Sequence, residues 1–172
     1  MNRYTLRWYL LALVLLVLDQ FTKHVASSHL DYAIPVQITS FFNWTLVHNP
    51  GAAFSMLSDA GGWQHWLLGG VAAVISIVLV IWISRLGLES KILGAGLALV
   101  LSGAVGNLVD RVRFGYVVDF IQLHYQDWYW PAFNVADSAI TVGAVLLVID
   151  SFFDRSRADG DSSRAEAGNE RD

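Results

Sequence analysis

Apolar residues in this chain run in blocks longer than the core of a soluble domain requires. Trp66–Ser84 holds nineteen residues without a charge and Ile92–Val109 holds eighteen, close to the ~20 that a helix needs to cross a bilayer. Two shorter uncharged runs flank them, eleven residues between Arg7 and Asp19 and twelve between Asp137 and Asp150. Twelve residues of helix cover about 18 Å, well short of a hydrocarbon core of about 30 Å. These segments span only by carrying charge with them. Residues 4–23 need Arg7 to snorkel and Asp19 to sit inside, and residues 133–153 place Asp137 about one turn in. The pattern therefore predicts a mainly α, polytopic membrane protein with four transmembrane helices at about 4–23, 66–84, 92–109 and 133–153. Arg3 and Arg7 before an apolar run also fit a cleavable signal peptide. Asp19-Gln20 interrupts that run before any A-x-A site, so the segment is expected to stay as the first span.

Lys and Arg set the expected orientation. Arg3 and Arg7 precede the first span, Arg85 and Lys91 bracket the turn between the second and third, and four arginines follow the last; none occurs from His24 to Ser84. Both termini are thus expected in the cytoplasm, with segments 26–65 and 110–132 outside. Phe42-Asn43-Trp44-Thr45-Leu46 alternates apolar and polar and is followed by the turn signal Asn49-Pro50-Gly51, which predicts a small β-sheet on the outer surface within 26–65. Segment 110–132 is read as an outer loop. Trp63, Trp66, Trp128, Tyr129 and Trp130 suit an aromatic belt at that interface. Gly94, Ala98, Ser102 and Gly106 recur every fourth residue and predict a close helix-packing face.

Composition agrees with a membrane protein. Of 172 residues 55% are hydrophobic and 15% charged, against roughly 45–50% and about 25% in soluble domains. The formal charge of -4 reflects the tail, where residues 154–172 alone hold six acids and four arginines. That tail is polar and without periodicity, and is expected to be disordered, with 1–153 forming a single integral membrane domain. No basic patch interleaved with aromatics points to nucleic acid. Cysteine is absent, which excludes thiol catalysis, disulfides and thiolate metal sites.

The topology gathers residues that the sequence scatters. Asp19, Lys23, Asn107, Asp110 and Arg111 fall at the outer ends of outward-running helices, Asn134 and Asp137 at the outer start of an inward-running one. Asp119 lies between them and Asn49 lies in the sheet. Spacings of three and four keep each set on one helix side. Each group also has a simple structural account. Asp19 and Lys23 make an ion pair, Asn134 an N-cap with Asp137 favoured in the first turn, and Asp110-Arg111 a helix end. Those accounts leave four acids facing two obvious counter-charges. Asp31, Asp59 and Asp127 sit among turn or polar residues and are expected to be solvated.

Carboxylates crowded at low dielectric cannot all ionise, so a pair shares a proton. Such a pair acts as base towards water and as acid towards a leaving amine, as in aspartic peptidases. No H-E-x-x-H, G-x-S-x-G, S-x-x-K or phosphate-loop pattern offers a competing chemistry. No metal or other cofactor is expected. Spacing leaves open which two aspartates pair. A proton- or ion-coupled transporter and a non-catalytic assembly subunit with polar interhelical contacts are the other readings of the same residues.

Five blocks resemble the lipoprotein signal peptidases, the signal peptidase II family. They are Asp19-Gln20-Phe21-Thr22-Lys23, Asn49-Pro50-Gly51-Ala52-Ala53-Phe54-Ser55, Gly106-Asn107-Leu108-Val109-Asp110-Arg111, Gly115-Tyr116-Val117-Val118-Asp119-Phe120 and Phe133-Asn134-Val135-Ala136-Asp137. They occur in the family's order across residues 5–153. The resemblance implies that Asp119 and Asp137 form the catalytic pair. It implies that Asp19, Lys23, Asn49, Gly51, Asn107, Asp110, Arg111 and Asn134 position that pair or bind substrate. It further implies an endopeptidase of the inner membrane that cuts prolipoproteins just before a diacylglyceryl-modified cysteine. Its partners would be that substrate and membrane lipid, not nucleic acid, and the chain is expected to be a monomer.

Overall fold

The computed structural model describes residues 3–51, 63–87 and 91–169. Four helices carry the architecture: α1 (Arg3–His29), α2 (Gln64–Ser84), α3 (Lys91–Phe114) and α4 (Val135–Asn169). Each contains a stretch long and apolar enough to cross a bilayer, at Tyr4–His29, Trp66–Ser84, Lys91–Phe114 and Val135–Phe153. The four spans expected from the charge-free runs are present, and three of the helices run past their expected ends. α1 continues six residues beyond Lys23 because nothing in His24-Val25-Ala26-Ser27-Ser28-His29 breaks a helix. α3 continues through Phe114, so Asp110 and Arg111 lie inside its last turns rather than at its end. Gly115 then closes it in the left-handed region at φ 80°, its N–H donating to the Arg111 carbonyl at 3.0 Å. Beyond the span, α4 remains helical to Asn169 where the polar composition predicts disorder. No proline interrupts it, and a helix already nucleated in the span propagates one bond per residue.

α3 is the central helix and touches α1, α2 and α4. Its glycines set how closely they approach. A Cβ at Gly94 would collide with the Trp8 indole of α1, one at Gly106 with the Asp19 carboxylate, and one at Gly103 with the Ala136 carbonyl of α4. The stripe of small residues is therefore a packing face toward α1, and Gly96 and Gly103 form a second face toward α4. Ala12, Leu79, Ile83, Leu97, Ala98 and Leu101 make the buried core between these helices. Most other apolar side chains on α1, α2 and α4 point outward, as a chain solvated by lipid requires.

A four-stranded antiparallel sheet caps one end of the bundle, in the order β1 (Val36–Gln37), β2 (Phe42–Asn49), β3 (Val117–Tyr125), β4 (Trp128–Tyr129). Half of this sheet comes from residues 110–132, which the sequence pattern reads as loop. Val117-Val118-Asp119-Phe120-Ile121 is rich in strand formers, but its pairing partner, β2, is some seventy residues away. β2 and β3 pair Trp44 with Ile121 and Val47 with Asp119, so β2 bulges by one residue between them. The chain after β4 then runs back along β3. Phe133 accepts hydrogen bonds from the Phe120 and Ile121 N–H groups at 3.1 and 2.9 Å and donates to the Ile121 carbonyl at 3.0 Å. This clip delivers Asn134 and the start of α4 to the strand that carries Asp119.

Candidate active site

All ten residues singled out in the sequence fall in one network at the sheet end of the bundle. Asp119 is 1% exposed. Its Oδ1 accepts from Asn134 Nδ2 at 2.7 Å and its Oδ2 from Asn49 Nδ2 at 3.0 Å. The Asn49 amide is oriented by its own turn, since its Oδ1 accepts the Gly51 N–H at 2.9 Å. Gly51 makes that turn at φ 112°, a region a side chain rarely enters.

Asp137 sits one turn into α4. Asn134 is the N-cap of that helix: its Oδ1 accepts the Asp137 N–H at 2.9 Å, and its own N–H reaches back to Asp137 Oδ2 at 3.3 Å. This is a reciprocal capping box with aspartate in the acidic position. Asn134 thus contacts both acids, through its amide nitrogen to Asp119 and through its backbone to Asp137. The cap and the contact with Asp119 are therefore made by one side chain. Asn107 on α3 donates to Asp137 Oδ1 at 2.7 Å, while its Oδ1 accepts from Lys23 at 2.9 Å and from Asn134 at 3.3 Å.

Behind this layer lies a second, wholly buried one. Lys23 Nζ is 3.0 Å from Asp19 Oδ2 and 2.9 Å from Asp110 Oδ2. Each carboxylate also supports neighbouring backbone. Asp19 Oδ1 accepts the Ala136 N–H at 2.8 Å, within the first turn of α4, and Asp110 Oδ2 accepts the Val118 N–H of β3 at 3.1 Å. The buried pairs therefore fix α4 and β3, the two elements that carry Asp137 and Asp119. Gln20 was not singled out by its charge, having none. Its Nε2 bridges Asp19 Oδ2, the Gly106 carbonyl and Asp110 Oδ1 at 3.0–3.2 Å. The signal in the sequence was an amide beside an acid within a span. Arg111 donates to the Asn107 carbonyl at 3.2 Å, and its charge acts on Asp137, Asp119 and Asp110. Asp31 and Asp127 are exposed as expected; Asp59 and the motif residues Ala52 to Ser55 lie outside the described residues.

The two acids differ in environment. Burial first, and then the Asp137 charge, push the Asp119 carboxyl up to about 7, against the amide donors of Asn49 and Asn134 and the more distant Lys23. Asp137 is only partly buried and opens onto a cleft of about 590 Å³ lined by Asn49, Leu123, Trp130, Phe133 and Thr141 among others. An acid that keeps its proton near neutrality thus stands behind one that faces an open, largely apolar cleft.

Fold and site together define a four-span membrane protein with a carboxylate pair at the mouth of a surface cleft. Comparison with known proteins gives the family. The sequence pattern of the Signal peptidase (SPase) II family matches residues 11–153. The chain is 55% identical to the lipoprotein signal peptidase of Acinetobacter baylyi over 150 residues, 87% of this chain and 84% of that one. It is 57% identical to the lipoprotein signal peptidase of Teredinibacter turnerae over 148 residues, 86% and 88% of the two chains. A bacterial membrane enzyme structure determined in meso at 2.3 Å resolution superposes with a TM-score of 0.78 at 30% identity, covering 88% of this chain and 90% of that one. The chain belongs to the signal peptidase II family and is a peptidase.

Proposed function

We propose that the chain removes signal peptides from bacterial prolipoproteins, cutting before a diacylglyceryl-modified cysteine with Asp119 and Asp137 as its acid pair. The observation that carries this reading is the pairing of unlike carboxyls through one residue: Asn134 touches both, and only Asp137 opens to the cleft. The relatives described above are named lipoprotein signal peptidases, which supports the substrate class.

The chemistry follows from the difference between the acids. Asp137, which opens to the cleft, takes a proton from a water molecule as its oxygen attacks the scissile carbonyl carbon. Asp119 gives its proton to the carbonyl oxygen, leaving a tetrahedral diol. Collapse of the diol breaks the C–N bond. The leaving nitrogen takes the proton held by Asp137, and Asp119 recovers one from a diol hydroxyl. Asn49 and Asn134 hold Asp119, Asn107 orients Asp137, and Asp19, Lys23 and Asp110 hold the elements beneath them. Gly51 makes the turn that aims Asn49, and Arg111 offsets the negative charge of the acids. The sheet and its aromatic rim face the outer surface of the inner membrane, where lipid in the bilayer and peptide at its surface meet the pair. The chain works as a monomer.

The test is cleavage of a synthetic diacylglyceryl-lipobox peptide by purified protein in lipid, run beside Asp119→Asn and Asp137→Asn with the helix content of each checked. Cleavage before the lipidated cysteine, lost in both folded variants, is expected. Equal cleavage by wild type and variants would remove the pair from the mechanism. Equal cleavage of the peptide lacking its lipid would remove the diacylglyceryl requirement.

A further inference from the structure

A second cavity lies apart from the acids. Phe21, Val25 and Ala26 on the last turns of α1, with Leu30 just past its end, line one wall, and Trp44 of β2 with Phe120 of β3 the other, around about 350 Å³. None of its lining residues lines the cleft that holds Asp137. Successive residues of a strand point to opposite faces. Phe120 accordingly turns into this crevice while Asp119 turns to Asn49 and Asn134.

The lining selects hydrocarbon. Besides the Trp44 indole N–H, its polar members are Thr22 and His29, and both are engaged with their own helix. The Thr22 hydroxyl lies 2.9 Å from the carbonyls of Leu18 and Asp19, and His29 Nδ1 3.0 Å from that of Val25. A water molecule needs two to four polar partners to occupy a cavity, and a peptide backbone brings a donor and an acceptor at each residue. The Trp44 indole N–H is a single donor and does not supply such a set. The crevice is also continuous with the surface that faces lipid. Val14, Val17, Leu18, Phe21 and Val25 are all exposed, and their spacing of three and four makes one stripe up the span. That stripe becomes the wall of the crevice without a break. A helix from a second copy of the chain, about 10–12 Å across with its side chains, is too wide for a slot of this volume; a single hydrocarbon chain is not.

We propose that this crevice takes one acyl chain of a bilayer phospholipid, drawn up between the end of α1 and the sheet and packed against Trp44 and Phe120. The site is independent of the peptidase reading and needs no substrate. It is tested by tryptophan quenching in the full-length protein. The protein is reconstituted in dioleoylphosphatidylcholine vesicles and in vesicles of the same lipid brominated across its double bonds. The emission of Trp44 is taken as the difference between wild type and Trp44→Phe, with circular dichroism confirming that each variant is folded. Trp44 is expected to lose most of its emission in the brominated lipid and little to acrylamide in water. Ala26→Leu, which fills the crevice, should restore the emission; Val25→Phe, at an exposed wall position, is the second filling variant if Ala26→Leu does not fold. Quenching by acrylamide instead would mean a water-filled crevice and overturn the proposal. Shielding from both quenchers would mean cover by protein, the chain itself or a second copy, and overturn it equally. Unchanged lipid quenching in the folded filling variants would place the contact outside the crevice and overturn it too.

Discussion

At the scale of single residues, the proposed chemistry rests on Asp119 keeping a proton that an ordinary carboxyl would have lost. Its raised value, about 7, comes first from burial and then from the Asp137 charge. A raised carboxyl is protonated below that value, so kcat/KM is expected to fall as pH climbs through about 7. Asn49 opposes the shift by donating to the charged form. Asn49→Ala should therefore raise the Asp119 value further and move the falling limb to higher pH, as a pH–rate profile of both proteins would reveal. A limb that stayed in place would show that Asp119 is not the titrating acid. Lys23 raises a different question, because it contacts two buried carboxylates. Replacing one partner of a buried ion pair leaves charge uncompensated, at a cost of about 3–5 kcal/mol. Lys23→Met should destabilise by that order in thermal or denaturant unfolding. Adding Asp110→Asn to it should recover part of the loss, because the buried negative charge goes with the lysine.

At the scale of elements, the glycines of α3 decide how the acids meet. Gly103 faces the Ala136 carbonyl and Ile140, so a methyl there pushes α4 away from α3 and separates Asp137 from Asn107. Gly103→Ala is expected to cost about 1–3 kcal/mol and to lower kcat by more than the folded fraction accounts for. Gly70 on α2 has nothing within 4 Å of an added Cβ. Gly70→Ala should therefore be neutral or stabilising by up to about 1 kcal/mol. Equal effects of the two substitutions in thermal unfolding would refute the packing account. The elements also differ in how much of them the sequence reveals. Two spans were legible because charge-free runs of eighteen or nineteen residues have few soluble uses, and Asp19 and Asp137 stood out because the two shorter runs span only by carrying them into the membrane. β3 was not legible, since a short run of strand formers around an aspartate names no partner and its partner lies far along the chain. The ends of α1 and α3 were missed for a related reason: the edge of a membrane does not end a helix, and only cap chemistry such as Gly115 does. Convergence of the site followed from topology alone, but the choice of Asp119 and Asp137 came from family resemblance. Gln20, bonded to three acceptors, shows in the sequence only as the neighbour of Asp19, because it has no charge to mark a role of its own.

At the scale of the whole molecule, charge is distributed by end. α1 begins at Arg3, Arg85 follows α2 and Lys91 opens α3, so the end of the bundle away from the sheet gathers these cations. At the sheet end Lys23 is buried among acids and Arg111 lies beside them. Cations near span ends favour the cytoplasmic side, and four spans return the chain to the side where it began. On the proposed orientation the acid pair faces outward, the side on which the proposed lipid-anchored substrate would present its peptide. The inference can fail independently of the enzymology. Alkaline phosphatase, active only outside the cytoplasm, inserted after Thr39 in the exposed turn between β1 and β2, should be active, and green fluorescent protein fused after Asp172 should fluoresce. An inactive phosphatase at Thr39 together with a dark green fluorescent protein at Asp172 would invert the chain. The carboxylates would then sit on the cytoplasmic side, and a peptidase acting at the outer surface would have to be abandoned even if the purified protein cut its peptide.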